Sequence, residues 1–128
     1  MMKPRLFLAP IVALGIGLSA CGGSSTGEGG YVQPTGASVA SIEIEAGNLY
    51  YSPDKVEAPV GISKIWLKNV ESGAHNLVIS GVPGFILEVS GEGDQNAKKV
   101  ELEAGSYDIY CTLPGHRAGG MAGKLIVK

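Results

Sequence analysis

The chain has 128 residues, a formal net charge of −2, 20 glycines and seven prolines. This length allows one domain of ordinary size. So many glycines and prolines disfavour a helical bundle, because both residue types destabilise helix interiors. With 45% hydrophobic but only 6% aromatic residues, the composition favours an all-β domain of short strands and many turns.

The first 20 residues have the pattern of a secretory signal. Lys3 and Arg5 precede an apolar run over residues 6–18, which is too short for a comfortable membrane span. The run ends in Leu-Ser-Ala-Cys, which resembles the lipobox of bacterial lipoproteins and implies a lipid on Cys21 as the mature N-terminus. An ordinary signal peptide followed by an incidental cysteine is the alternative.

The charge and composition after this signal bear on location. Cleavage before Cys21 leaves eight basic residues against 12 acidic ones, a formal net charge of −4. That balance argues against nucleic acid or an anionic membrane surface as the main partner. Residues 21–38 are rich in Gly, Ser and Thr, which predicts a flexible tether. We therefore expect an extracytoplasmic domain over residues 39–128, periplasmic or on the outer face, held at the membrane by the lipid on Cys21.

Alternation of apolar and polar side chains predicts several strands in this domain. Two prolines make residues 50–61 an irregular edge segment, and residues 81–97 have no clear pattern. Trp66 is expected in the core. The segments with strand patterns are residues 39–45, 62–70, 76–80, 99–103, 106–111 and 124–128. We count six to eight strands, no helix and no internal repeat, which predicts an antiparallel Greek-key β-sandwich or small barrel.

Three side chains that can bind metal lie on one predicted loop between the last two strands. Cys111, His116 and Met121 offer a thiolate, an imidazole and a thioether, and His75 is the other of the chain's two histidines. A cysteine, two histidines and a distant methionine form the trigonal site with a weak axial ligand that suits copper in electron transfer.

Each of these residues has a commoner explanation when it is taken singly. A buried cysteine is usually a small hydrophobe, His75 would be an ordinary core or surface histidine, and Met121 would be packing. Two cysteines in an exported protein often form a disulfide. A lipidated Cys21 has its sulfur in a thioether, however, and leaves Cys111 as an unpaired thiol. The combined spacing therefore favours metal ligation.

With these motifs identified, residues 39–128 resemble the cupredoxin family. The resemblance rests on the C-x4-H-x4-M loop with Pro-Gly before its histidine, on Gly-Ala-His-Asn upstream and on the closing Met-Ala-Gly-Lys-Leu-Ile-Val. It implies one type 1 copper ion with three equatorial ligands and one axial ligand: His75, Cys111, His116 and, axially, Met121. It also implies that Asn76 ties the first-ligand loop to Thr112 by hydrogen bonding.

We therefore hypothesise a monomeric one-electron carrier that cycles between Cu(I) and Cu(II) and, held at the membrane by the lipid on Cys21, meets redox donors and acceptors transiently. The edge of His116, framed by small and apolar loop residues, is the expected docking point. A copper enzyme of this fold would need a second copper centre, and no histidine remains for one. Copper delivery or storage is the other alternative, although chaperone sites favour exposed methionine clusters and only Met121 remains after cleavage.

Overall fold

The computed structural model describes residues 30–128 and contains nine strands there, more than the predicted six to eight. The all-β prediction is confirmed. Within these residues no helix is long and apolar enough to cross a membrane. The strands are β1 (Ala40–Gly47), β2 (Tyr50–Ser52), β3 (Lys55–Ala58), β4 (Gly61–Asn69), β5 (His75–Ile79), β6 (Ile86–Val89), β7 (Gln95–Leu102), β8 (Gly105–Tyr110) and β9 (Ala122–Val127).

The strands form two sheets around one core. One sheet has the order β2-β1-β4-β7, and the other has the order β3-β9-β8-β5-β6. Buried side chains alternate with exposed or half-buried ones along β3 and β4, so that one face of each sheet points inward. The inward faces share one apolar cluster, whose fully buried members include Ile44, Leu67, Leu77, Ile109 and Leu125.

Two strand pairs are parallel, so the sheets are mixed and not antiparallel throughout, as the predicted antiparallel sandwich or barrel would have them. β1 pairs with β4 in parallel, from Ala40 opposite Ser63 to Ala46 opposite Asn69, and β3 pairs with β9 in parallel. The physical reason is that the chain leaves the four-stranded sheet after β2, adds β3 to the other sheet and returns as β4 beside β1. Alternation along a strand does not show the direction of its neighbour.

The proline-containing stretch 50–61 supplies one edge strand of each sheet. β2 lies at the edge of the four-stranded sheet and β3 at the edge of the five-stranded sheet. Pro53 lies between these two strands and Pro59 follows β3, so neither proline removes a ladder hydrogen bond from a central strand. The predicted edge segment is therefore two short strands.

Residues 81–97, which lacked a clear pattern, contain β6 and the beginning of β7. Two polar side chains of β7 bond to the backbone of β6: Asn96 Nδ2 donates to Glu88 O at 3.1 Å and Lys98 Nζ donates to Ile86 O at 2.7 Å. These half-buried polar residues hide the alternation that would have predicted the first half of β7.

Trp66 lies on the outer face of β4, so its predicted core position is wrong. Its neighbours Ile65 and Leu67 point inward and are buried, whereas Trp66 is half-buried. The ammonium of Lys64 lies 4.5 Å from the centroid of its ring, a distance at which a cation is attracted to the face of an indole.

The segment just before β1 packs against β7, which is the edge strand opposite β2 in the four-stranded sheet. Tyr31 donates from its hydroxyl to Lys99 O at 2.8 Å, and its ring meets Phe85 edge-on with centroids 5.2 Å apart. In return, Lys99 N donates to Gln33 Oε1 at 2.8 Å and Lys99 Nζ donates to Gly36 O at 2.9 Å. These bonds cover an otherwise open sheet edge.

This packing differs from the flexible coil that we expected up to residue 38. The glycine-rich composition hid one aromatic residue, Tyr31, that has a partner on the domain. The predicted signal over residues 1–20, the proposed lipid site at Cys21 and residues 22–29 of the tether lie outside the described residues.

We expect Tyr31→Ala to lower the free energy of unfolding by about 2 kcal/mol, because it removes an edge-to-face aromatic pair and a hydrogen bond. Val32→Ala is the matched control, since Val32 is 86% exposed and its truncation should change stability by less than about 0.5 kcal/mol. Urea denaturation measures both values. Equal effects would mean that the segment does not pack on the domain in solution.

Candidate metal centre

Cys111 directly follows the end of β8 and Met121 directly precedes the start of β9, so the two residues face each other. The last paired residues of these antiparallel strands are Tyr110 and Ala122. Immediately beyond them, Cys111 N donates to Met121 O at 3.1 Å, which extends the ladder by one step. Both side chains are fully buried. The hairpin therefore brings a thiol and a thioether together although nine residues lie between them in the chain.

The loop between these two residues folds back on itself through backbone hydrogen bonds. His116 N donates to Leu113 O at 3.1 Å, and Met121 N donates to His116 O at 3.0 Å. Gly115 and Gly120 have φ values of +78° and +116°, which residues with a Cβ rarely adopt. The loop thus places His116 beside the strand ends that carry Cys111 and Met121.

His75 reaches the same place from β5. It is the first residue of that strand, which lies next to β8 in the sheet order β9-β8-β5. Its side chain is 2% exposed. Because β5 lies beside β8 and begins with His75, this residue lies near the β8–β9 loop although it is distant in sequence.

The three donors form one cluster that fits a single metal ion. The ligand atoms of His75, Cys111 and His116 all lie within 4.8 Å of one another. The two Nδ1 atoms are 3.2 Å apart, and Cys111 Sγ lies 3.6 Å from His116 Nδ1. Donors that share a first-row ion at about 2.0–2.3 Å lie roughly 3–4 Å apart. A thiolate with two imidazoles and a buried thioether nearby is the donor set that suits type 1 copper.

The cluster is closed to solvent on all sides but one. Cys111 and Met121 are fully buried and His75 is 3% exposed, whereas His116 is only half-buried. The imidazole rings of the two histidines are tilted at 54°, with centroids 5.1 Å apart. Contact with the surroundings therefore runs through His116.

Asn76 connects the strand of His75 to the residue that follows Cys111. Its Nδ2 donates to Thr112 Oγ1 at 2.7 Å, and its Oδ1 accepts from Thr112 N at 2.8 Å. The hydroxyl of Tyr51 donates to Asn76 O at 2.5 Å. Burial, and secondarily the charge of Cys111, raise the pKa of Tyr51, so that its hydroxyl remains a donor. The hydrogen bonds expected between Asn76 and Thr112 are thus present.

Glu71 is a member of the site that sequence reasoning missed. Its carboxylate accepts a hydrogen bond from Nε2 of His75, the ring nitrogen that points away from the cluster. This bond, followed by one from Gly73 N–H, holds the pKa of the Glu71 carboxyl below its usual value. The sequence does place this glutamate four residues before a proposed ligand histidine. That spacing alone does not predict the contact, because the contact depends on the shape of the loop between the two residues.

The sequence of the domain that carries this cluster matches one known protein family. The sequence model of the family described as "Copper binding proteins, plastocyanin/azurin family" matches residues 38–128. No match to a curated protein was found.

Solved structures share the fold at low sequence identity. A dithionite-reduced auracyanin from the photosynthetic bacterium Roseiflexus castenholzii is 23% identical with a TM-score of 0.63, over 72% of this chain and 99% of that one. Auracyanin B is 17% identical with a TM-score of 0.67, over 78% and 96%. An oxidised amicyanin mutant is 23% identical with a TM-score of 0.53, over 68% and 81%.

We expect Asn76→Ala to lower the free energy of unfolding of the metal-free protein by about 1–3 kcal/mol, because it leaves Thr112 N–H without its partner. The matched control is Asn96→Ala, which removes a single exposed hydrogen bond to Glu88 O and should cost less than about 0.5 kcal/mol. Chemical denaturation gives both values. Similar losses in the two variants would contradict a special role for Asn76.

Proposed function

Because the chain belongs to the plastocyanin/azurin family of copper-binding proteins, we propose that it is a one-electron carrier built around a single type 1 copper ion. Its four ligands would be His75, Cys111, His116 and Met121. The observation that carries the proposal is the cluster of one buried thiol and two imidazoles whose ligand atoms lie within 4.8 Å of one another. Copper bound there supplies a couple between Cu(I) and Cu(II).

The chain's own contribution is to fix the donors. Cys111 and Met121 are locked by the end of a hairpin, and the Asn76 bonds to Thr112 hold the strand of His75 against it. Donors held by rigid elements move little when the charge at the centre changes. Such a site keeps the reorganisation that accompanies electron transfer small.

His116 is the proposed point of electron exchange with a partner, because it is the half-buried member of the cluster. The residues around it, Pro114, Gly115, Ala118 and Gly119, are exposed and small or apolar. A small patch of this kind suits a transient interface. Arg117 lies beside the patch with its guanidinium 3.9 Å from the Tyr110 ring centroid, where its charge would favour an acidic partner.

The location of the carrier is proposed from the sequence. The signal-like residues 1–20 and the lipobox-like motif ending at Cys21 support export and lipid anchoring at the membrane. Redox donors and acceptors associated with that membrane are then the proposed partners. We propose that the domain meets them as a monomer.

The burial of the ligands favours electron transfer over copper delivery. A delivery protein must present its ligands to an acceptor, whereas Cys111 and Met121 are fully buried. A catalytic copper enzyme would need further histidines, and the chain's two histidines are both in the cluster.

Titration of the protein starting after Cys21 with Cu(II) should give an intense visible band that saturates at one equivalent, is bleached by reductant and returns with oxidant. Cys111→Ser should abolish the band, because the thiolate is the donor of its charge transfer. Met121→Leu is the control, since it keeps the thiolate and both imidazoles and should keep the band. Retention of the band in Cys111→Ser would contradict the proposed site.

A negative charge in the patch should slow electron exchange. In Ala118→Glu, two molecules that meet through the His116 face repel each other, and we expect the self-exchange rate constant to fall roughly tenfold, equivalent to about 1.4 kcal/mol. Ala104→Glu is the control because Ala104 is exposed at the far end of β8. Line broadening of NMR signals in mixtures of the two oxidation states measures the rate. Equal slowing in both variants would rule out docking at His116.

A further inference from the structure

The contact between Glu71 and His75 determines which nitrogen of His75 faces the cluster. A carboxylate can only accept hydrogen bonds, so Nε2 of His75 must carry a proton. In a neutral imidazole this leaves Nδ1 unprotonated, and Nδ1 is the atom that lies 3.2 Å from Nδ1 of His116. The lone pair of His75 is therefore directed into the site.

We propose that Glu71 is a positioning residue for His75 and that its negative charge favours Cu(II) over Cu(I), which lowers the reduction potential of the site. This inference rests on the proposed function. A carboxylate bonded to the outer nitrogen of a ligand histidine fixes the ring and makes it a stronger donor. Negative charge beside the ligand also stabilises the more positive oxidation state.

The loop before β5 is shaped to hold this carboxylate. Asn69, which is 2% exposed, donates from Nδ2 to Gly73 O at 2.7 Å and to Gly91 O at 2.9 Å. Its Oδ1 accepts from Glu71 N at 3.4 Å. Asn69 therefore holds the segment from Glu71 to Gly73 in place by hydrogen bonds.

Gly73 leaves the space that the carboxylate occupies. A Cβ at this position would lie 2.7 Å from Glu71 Oε1, which is closer than such atoms approach, and 3.3 Å from Glu71 Cδ, which is a tight contact. The absence of a side chain at residue 73 therefore keeps Glu71 against His75.

Among residues 30–128, no lysine forms an ion pair with Glu71, so its charge acts mainly on His75. The lysines pair with other acidic residues, namely Glu43, Glu57 and Asp108, whereas Glu71 pairs with His75. Its side chain is 28% exposed, so water screens part of the charge. The effect on the site should be a shift in potential without loss of the site.

The decisive measurement is the reduction potential of copper-loaded Glu71→Gln, which keeps an oxygen acceptor for His75 and removes the charge. We expect the ratio of the Cu(II) to the Cu(I) dissociation constant to rise about tenfold, which is roughly 59 mV towards a higher potential. Glu88→Gln is the matched control. Glu88 is exposed on β6 opposite Asn76 and makes no side-chain bond to a ligand, so its potential should shift much less.

A second pair of variants tests positioning apart from charge. Glu71→Ala removes the acceptor, and Gly73→Ala keeps Glu71 but forces its carboxylate away from His75. Both should weaken Cu(II) binding about 10- to 100-fold. In the metal-free protein at about pH 8, ¹⁵N NMR should find His75 protonated on Nε2 in the wild type, with both tautomers populated in these two variants.

The outcomes separate this inference from the proposed function. A wild-type protein with the copper band, but with unchanged potential in Glu71→Gln and an unchanged tautomer in Gly73→Ala, would overturn the inference and leave the carrier proposal intact. Equal shifts in Glu71→Gln and Glu88→Gln would also overturn it, because they would show a general charge effect. A wild type that lacks the band would overturn the carrier proposal and with it the copper part of the inference.

Discussion

The hydrogen bond from Cys111 N to Met121 O, 3.1 Å long, is the constraint on which the site depends. It closes an 11-residue loop at the end of the β8–β9 hairpin, so three of the four proposed ligands share one rigid base. Only one further donor is then needed, and the strand beside β8 supplies it. The sheet order β9-β8-β5 therefore places all four proposed ligands at one end of the sheet.

Two residues, Asn76 and Glu71, hold His75 in place in different ways. Asn76 fixes how far its strand lies from the hairpin, through paired bonds with Thr112. Glu71 fixes the ring, through the bond to Nε2. Because one neighbour acts on the backbone and the other on the imidazole, the position of the ligand and its donor strength can vary independently.

The site could be predicted from the spacing of residues that are close in sequence. The fold was predicted less fully, because the pairing of strands that are distant in sequence cannot be derived from local patterns. The type and spacing of Cys111, His116 and Met121 were enough to nominate a loop site, because a turn brings near residues together. Alternation gave most strands but not the parallel pairing of β1 with β4, since that depends on a crossover between sheets. Glu71 was missed because its contact depends on Asn69 and Gly73, whose role appears only in the folded loop.

The complete burial of Cys111 has a consequence for the protein before it receives its metal. A free thiol is open to oxidation and to exchange with the disulfides of other molecules. Both reactions require a thiolate that a second molecule can reach, and this sulfur lies beneath the loop that carries His116. The fold therefore protects the thiol of the metal-free protein from both reactions.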